Sequence, residues 1–135
     1  MQIDPTELNY LAVLVGGLVY MAFGALYYSP VLFGNTWVQL NKANLDKRKS
    51  QTPMFVSSPV VAFLSSVLMA VIVQAVHADD LGSGLLLGIM MALLLALAYF
   101  KNAAFGLMSG KAYAIAIGDH AIAFVILGVL HSLWR

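Results

Sequence analysis

Asp119 and His120 stand side by side inside an otherwise apolar run covering about residues 112–134. Asp119 lies eight residues beyond Lys111, which is about 12 Å along a helix axis at ~1.5 Å per residue. A lone Asp deep in a spanning helix costs on the order of 2.5–3.5 kcal/mol. Such a residue should face a bundle interior, a water-filled cavity or a partner subunit, or be protonated. A carboxyl and an imidazole exchange protons near neutral pH once burial shifts them, so one reading is a proton or ion relay. The competing reading is a hydrogen-bonded pair that fixes helix packing. It draws on geometry, because adjacent helical residues point roughly 100° apart and should not serve one site. Matching depths along neighbouring spans bring in Tyr20, Ser65 and Ser66. The expected buried polar centre is therefore Tyr20, Ser65, Ser66, Asp119 and His120, either as an ion or proton site or as a structural cluster.

Little else in the chain offers chemistry. There are no cysteines, which removes thiolate metal sites and Cys nucleophiles. His77, Asp79 and Asp80 carry metal-capable side chains, but three ligands in one turn without a fourth make a poor site, and a solvated turn between helices is the simpler reading. No Ser-His-Asp, P-loop or His-Glu-x-x-His pattern occurs. The expectation is a protein that is not an enzyme, with no metal and no cofactor. A net charge of +1 argues against nucleic acid as a partner.

The elements that must position these residues are set by composition. Of the 135 residues 61% are hydrophobic and 10% charged, against roughly 45–50% and about 25% in soluble domains. Too few polar residues remain to cover a soluble surface. Four apolar stretches, at about 8–28, 54–76, 81–100 and 112–134, are each long enough to cross a bilayer. None alternates as a strand would, and lipid cannot satisfy open strand edges. The expected fold is all-α: a single domain, residues 1–135, forming an antiparallel four-transmembrane-helix bundle. Asp4-Pro5-Thr6-Glu7 has the form of a cap, a proline at the first helical position and a capping-box Glu. Ser29-Pro30 stops the first span. The second span has two possible starts, Pro53 or Pro59, and the earlier one would leave Pro59 in its second turn.

The loop over 29–53 carries Lys42, Lys47, Arg48 and Lys49, and the 101–111 connection adds Lys101 and Lys111. Only Arg135 falls on the opposite side. The positive-inside rule then places those loops in the cytoplasm and both termini outside. Lys47, Arg48 and Lys49 are expected to set topology and to touch anionic lipid. Small residues four apart, Gly84, Gly88, Ala92 and Ala96, form a smooth stripe on the third span. That stripe serves close packing, either within the chain or between copies in a homo-oligomer.

Two segments resemble a known family, the bacterial membrane-protein family catalogued as domain of unknown function 1761. The first is Gly24-Ala25-Leu26-Tyr27-Tyr28-Ser29-Pro30, then Phe33-Gly34 and Trp37, with Asn9 near the helix start. The second runs from Asn102 and Phe105 through Lys111, Tyr113, Gly118, His120, Phe124 and Gly128 to Trp134. Three positions depart from the family pattern: Tyr27 stands for a Trp, Gly106 for an acidic residue and Asp119 for an aromatic. The resemblance implies four spanning helices and a multi-pass protein of the bacterial inner membrane, and it implies no activity. Physically, Pro30 turns the chain at the interface, Tyr27, Tyr28 and Trp37 anchor there, and Phe33-Gly34 lets the backbone fold back, with a re-entry or a short interfacial helix over 31–45. Three function classes follow: a channel-like or transport-related oligomer built on the polar centre, a non-catalytic accessory or scaffold protein packing through its small-residue stripes, and a lipid- or quinone-binding protein.

Overall fold

A computed structural model describes residues 4–47 and 52–135. Arg48 and Lys49, two of the three basic residues expected at anionic lipid, fall outside the described residues. The described chain is entirely helical: α1 (Tyr10–Tyr27), α2 (Gly34–Asp46), α3 (Thr52–Val76), α4 (Leu81–Ala104) and α5 (Gly110–Leu133), after a short 3-10 turn at Pro5–Glu7. α1, α3, α4 and α5 are long and apolar enough to cross a membrane, and the protein is membrane-embedded.

Each helix begins and ends for a local reason. Asp4 does cap, its carboxylate accepting from the Thr6 N–H at 2.9 Å, but only for the 3-10 turn. Leu8 is extended, and the Asn9 side chain starts α1 by accepting from the Ala12 N–H at 3.0 Å. The expected single capped helix is thus two elements, because Asn9 offers a second acceptor just where the extended residue breaks the first. α3 takes the earlier of its two possible starts and carries Pro59 inside it. Asp80 and Ser83 form a reciprocal capping box at the head of α4. α3 and α4 both close with a left-handed residue: His77 at φ 55° and Gly106 at φ 73°. In each case two backbone bonds recover the last carbonyls: Ala78 N–H to Val73 O and His77 N–H to Gln74 O, then Leu107 N–H to Asn102 O and Gly106 N–H to Ala103 O.

α5 is the organising helix. It packs on α1 and α3, and these three enclose a core that includes Tyr20, Ala62, Met69, Val73, Ala123 and Leu127. α4 takes α5 as its principal partner, and only 17% of its apolar window is buried against 33% for α1 and α5. Its glycine stripe makes that contact. Gly84 lies against Gly128 and Ser132, and Gly88 against Val125 and Phe124. Ala92 is buried, and the Ala96 carbonyl accepts from the Tyr113 hydroxyl at 3.2 Å. The stripe is therefore occupied within the chain. Small residues are what allow this, since lipid gives helices little hydrophobic reason to associate and contact depends on close backbone approach. Leu, Val and Ile side chains on the remaining faces are exposed, as a lipid-facing surface requires. The segment from Asp4 to Asn9 and the end of α5 gather with the α3–α4 turn at one end of the bundle, where Arg135 pairs with Asp79 at 3.4 Å. α2 and the α4–α5 connection occupy the other.

Candidate functional site

Asp119 and His120 both turn toward α1 in spite of the angle between neighbouring helical positions. Asp119 is 5% exposed, and its Oδ2 lies 4.0 Å from His120 Nδ1. The two side chains are long enough to close the angle from either flank, which corrects the expectation that they cannot share a site. Tyr20 reaches across from α1, and its hydroxyl shares a hydrogen bond of 2.7 Å with His120 Nδ1. Phe124 stacks on the imidazole with ring centroids 6.2 Å apart, and Tyr99 of α4 meets it edge-on at 5.9 Å. The imidazole is thereby fixed from three sides.

The carboxyl of Asp119 is closed in by phenols. Tyr28 lies beside it, and the Tyr27 hydroxyl reaches Gly118 in the adjacent turn position. Tyr27 is buried at 6% exposure and so belongs to this wall; it is not an interfacial anchor. Around it sit Phe33 at 4.7 Å, Tyr28 at 5.3 Å and Phe23 at 5.6 Å between ring centroids, and Trp37 meets Tyr28 at 5.3 Å. The turn that holds this wall is tight. Phe33 N–H bonds Tyr27 O at 3.0 Å and Gly34 N–H bonds Ser29 O at 2.9 Å. A Cβ at position 34 would run into the Tyr28 and Ser29 carbonyls, so only glycine lets the chain return beneath Pro30. The segment Tyr27-Tyr28-Ser29-Pro30…Phe33-Gly34…Trp37 is thus an aromatic cap over Asp119, followed by α2 as a helix packed on α5. Among the described residues, Asp119 Oδ1 is buried with no hydrogen-bond partner.

Ser65 and Ser66 do not join this centre. Ser66 is fully buried, but its hydroxyl donates to Val13 O at 2.8 Å and meets His131 Nε2 at 3.0 Å. Ser65 is only half-buried and takes no part. The reason lies in the start of α3. Beginning at Thr52, Ser66 falls 14 residues along the helix, or about 21 Å, well past the depth of Asp119. His131 is a buried polar residue that reading the sequence missed, since it sits near the chain end and looks like an interfacial residue. One signal was available: it follows His120 by 11 residues, close to three helical turns, so both imidazoles share a face of α5.

The described residues therefore form two buried polar centres on one helix face, about 16 Å apart along α5. Ala123 at 1% exposure and Leu127 at 0% fill the space between them. His131 in turn forms part of the floor of a cleft of about 320 Å³ at the terminal end of the bundle. Among the described residues no group of three or more His, Cys, Asp and Glu side chains is placed to hold a metal ion.

No curated protein and no solved structure gives a significant match to the chain. One family model does, over residues 11–132, and that span includes the aromatic cap, the Asp119 centre and His131. The chain belongs to the family described as "Protein of unknown function (DUF1761)".

Proposed function

We propose that this is a transport-related membrane protein, not an enzyme, in which the Asp119 carboxyl takes up and releases a proton or small cation. The observation that carries the reading is the unpartnered, buried Asp119 Oδ1 beside a hydrogen-bonded Tyr20–His120 pair. A carboxyl kept only for helix packing is expected to have both oxygens satisfied, because lipid offers no substitute partner. One left with open capacity can exchange its occupant, and Tyr20 and His120 provide a hydroxyl and an imidazole through which a proton moves to or from it. The aromatic cap separates this centre from water at the α2 end. The Ala123–Leu127 layer separates it from the cleft at the other end, so passage requires movement of these groups or a second wall supplied by another copy. We accordingly read the working unit as a homo-oligomer. The Lys and Arg distribution supports the α2 end as cytoplasmic and both termini as external, in a bacterial inner membrane.

The test of the site is proton counting. The full chain in lipid nanodiscs is titrated across the neutral range and compared with Asp119→Asn. The wild type should exchange about one more proton per chain, with the helical content of both unchanged. Identical titration curves would remove Asp119 from proton exchange. The dry layer at Leu127 favours a second reading, a non-catalytic accessory protein in which both polar centres fix packing. That reading predicts large losses of stability in Tyr20→Phe and Ser66→Ala, with no proton difference in Asp119→Asn.

A further inference from the structure

The cleft at the terminal end is walled by the N-terminal turn and by the ends of α3 and α5. The open polar atoms of its floor and wall are acceptors, while Asn9, Trp134 and Arg135 bring donors to its lining. Ser66 has one hydroxyl hydrogen and donates it to Val13 O, so His131 Nε2 must supply the hydrogen for their 3.0 Å contact. In the neutral ring this leaves Nδ1 with a free lone pair, and no described residue bonds to it. His131 is 3% exposed and lines the cleft floor. Gln74 is oriented in the same sense. Its amide nitrogen donates to Asp4 O at 3.1 Å, which leaves its Oε1 buried without a partner in the cleft wall.

Charge follows the same sign. Glu7 and Asp4 bring two carboxylates to the rim, while Arg135, also at the rim, is paired with Asp79. α3 and α5 end here while α1 begins at Asn9 in the same lining, so the helix ends bring partial charges of both signs and the carboxylates set the balance. Trp134, Val73 and Leu8 add an aromatic and an apolar surface. Trp134 offers a face on which a cation is attracted by the ring quadrupole.

The geometry points to a binding site for a small primary ammonium ion with an apolar body. Its N–H groups match the Nδ1 lone pair of His131 and the Glu7 carboxylate, and its apolar part lies against Trp134 and Val73. A quaternary ammonium carries the charge but no N–H, and an anion meets the Glu7 and Asp4 carboxylates while the Arg135 guanidinium is paired with Asp79. The inference stands apart from the role of Asp119, because the cleft is separated from that centre by Leu127.

The full chain with Trp37→Phe retains Trp134 as its single tryptophan, and its emission in nanodiscs reports on the cleft. Benzylamine, as its ammonium ion, should change that emission saturably. Benzyltrimethylammonium should bind at least tenfold more weakly, and benzoate should give no saturable change. Glu7→Gln, whose side chain makes no hydrogen bond among the described residues, should weaken benzylamine at least tenfold without altering thermal unfolding. His131→Gln should weaken it in the same assay, with circular dichroism as its folding control. Equal binding of the quaternary ion, saturable binding of benzoate, an unchanged Glu7→Gln, or a benzylamine response no larger than in empty nanodiscs would each overturn the site.

Discussion

Replacing Gly88 by alanine tests the packing that holds α4 in place. A Cβ built there lies 2.6 Å from Val125 Cα, 2.7 Å from Phe124 O and 3.0 Å from Phe124 C. Carbon atoms in contact prefer about 3.5–4.0 Å, so α4 and α5 must separate by roughly 1 Å. The obstacles are backbone atoms, which no rotamer change can move aside. Overpacking of this kind costs about 1–3 kcal/mol, while alanine returns up to ~1 kcal/mol over glycine within a helix. The net expectation is a loss of about 1–2 kcal/mol. It falls on an interface for which α4 has no comparable substitute, so the helix should also loosen. Gly24→Ala is the matched control, since nothing lies within 4 Å of a Cβ at that position. It should be neutral or slightly stabilising. Both are measured by unfolding in mixed micelles with increasing denaturing detergent, followed by circular dichroism. Gly88→Ala as stable as the wild type, or Gly24→Ala equally damaged, would refute the close-packed interface.

Three further outcomes follow from named contacts. Gly34→Ala should cost about 1–3 kcal/mol, since its Cβ meets two backbone carbonyls, and should raise the water accessibility of a cysteine placed at Tyr27; an unchanged accessibility would separate the turn from the cap. Gly106→Ala should lose about 1 kcal/mol, because an L-residue is strained at φ 73°, and the amide of Leu107 should lose protection from hydrogen exchange. Hydrogen bonds from Gly82 and Ser83 hold the Asp80 carboxyl below the ordinary carboxylate range. A depressed folded pKa means the cap contributes above the unfolded value and is lost as pH falls through the folded one. The Gly82 and Ser83 amides should therefore lose exchange protection only below the ordinary carboxylate range, whereas Asp80→Ala should remove that protection at all pH values.

The spans were legible because lipid leaves no alternative. A run of about 20 apolar residues must satisfy its backbone internally, and Ser29-Pro30, Asp80 and Gly106 mark stops and starts that obey local rules. The Tyr20–His120 partnership was legible for a related reason, since depth along two antiparallel helices can be counted from their ends. Ser66 shows where that counting fails. Its depth depended on whether α3 begins at Thr52 or near Pro59, and both prolines sit acceptably in a first or second turn. The choice rests on tertiary packing that no local signal records. Tyr27 was misplaced for a different reason: an aromatic at a helix end reads as an interfacial anchor, and only the return of the chain through Gly34 encloses it. His131 was passed over because a histidine four residues from the chain end is ordinary. Its importance comes from Gly16, whose missing side chain lets Ser66 and His131 meet beside α1.

The chain contains no cysteine, so single reporters for motion can be placed without removing a background. Transport itself is tested most directly by proton flux. Wild-type protein and Asp119→Asn are reconstituted at equal density into liposomes containing a pH-sensitive dye, and the decay of an imposed pH gradient is followed. The account predicts that the wild type dissipates the gradient at least tenfold faster than Asp119→Asn and than protein-free liposomes. Equal decay in all three would contradict it and leave Asp119 as a structural residue.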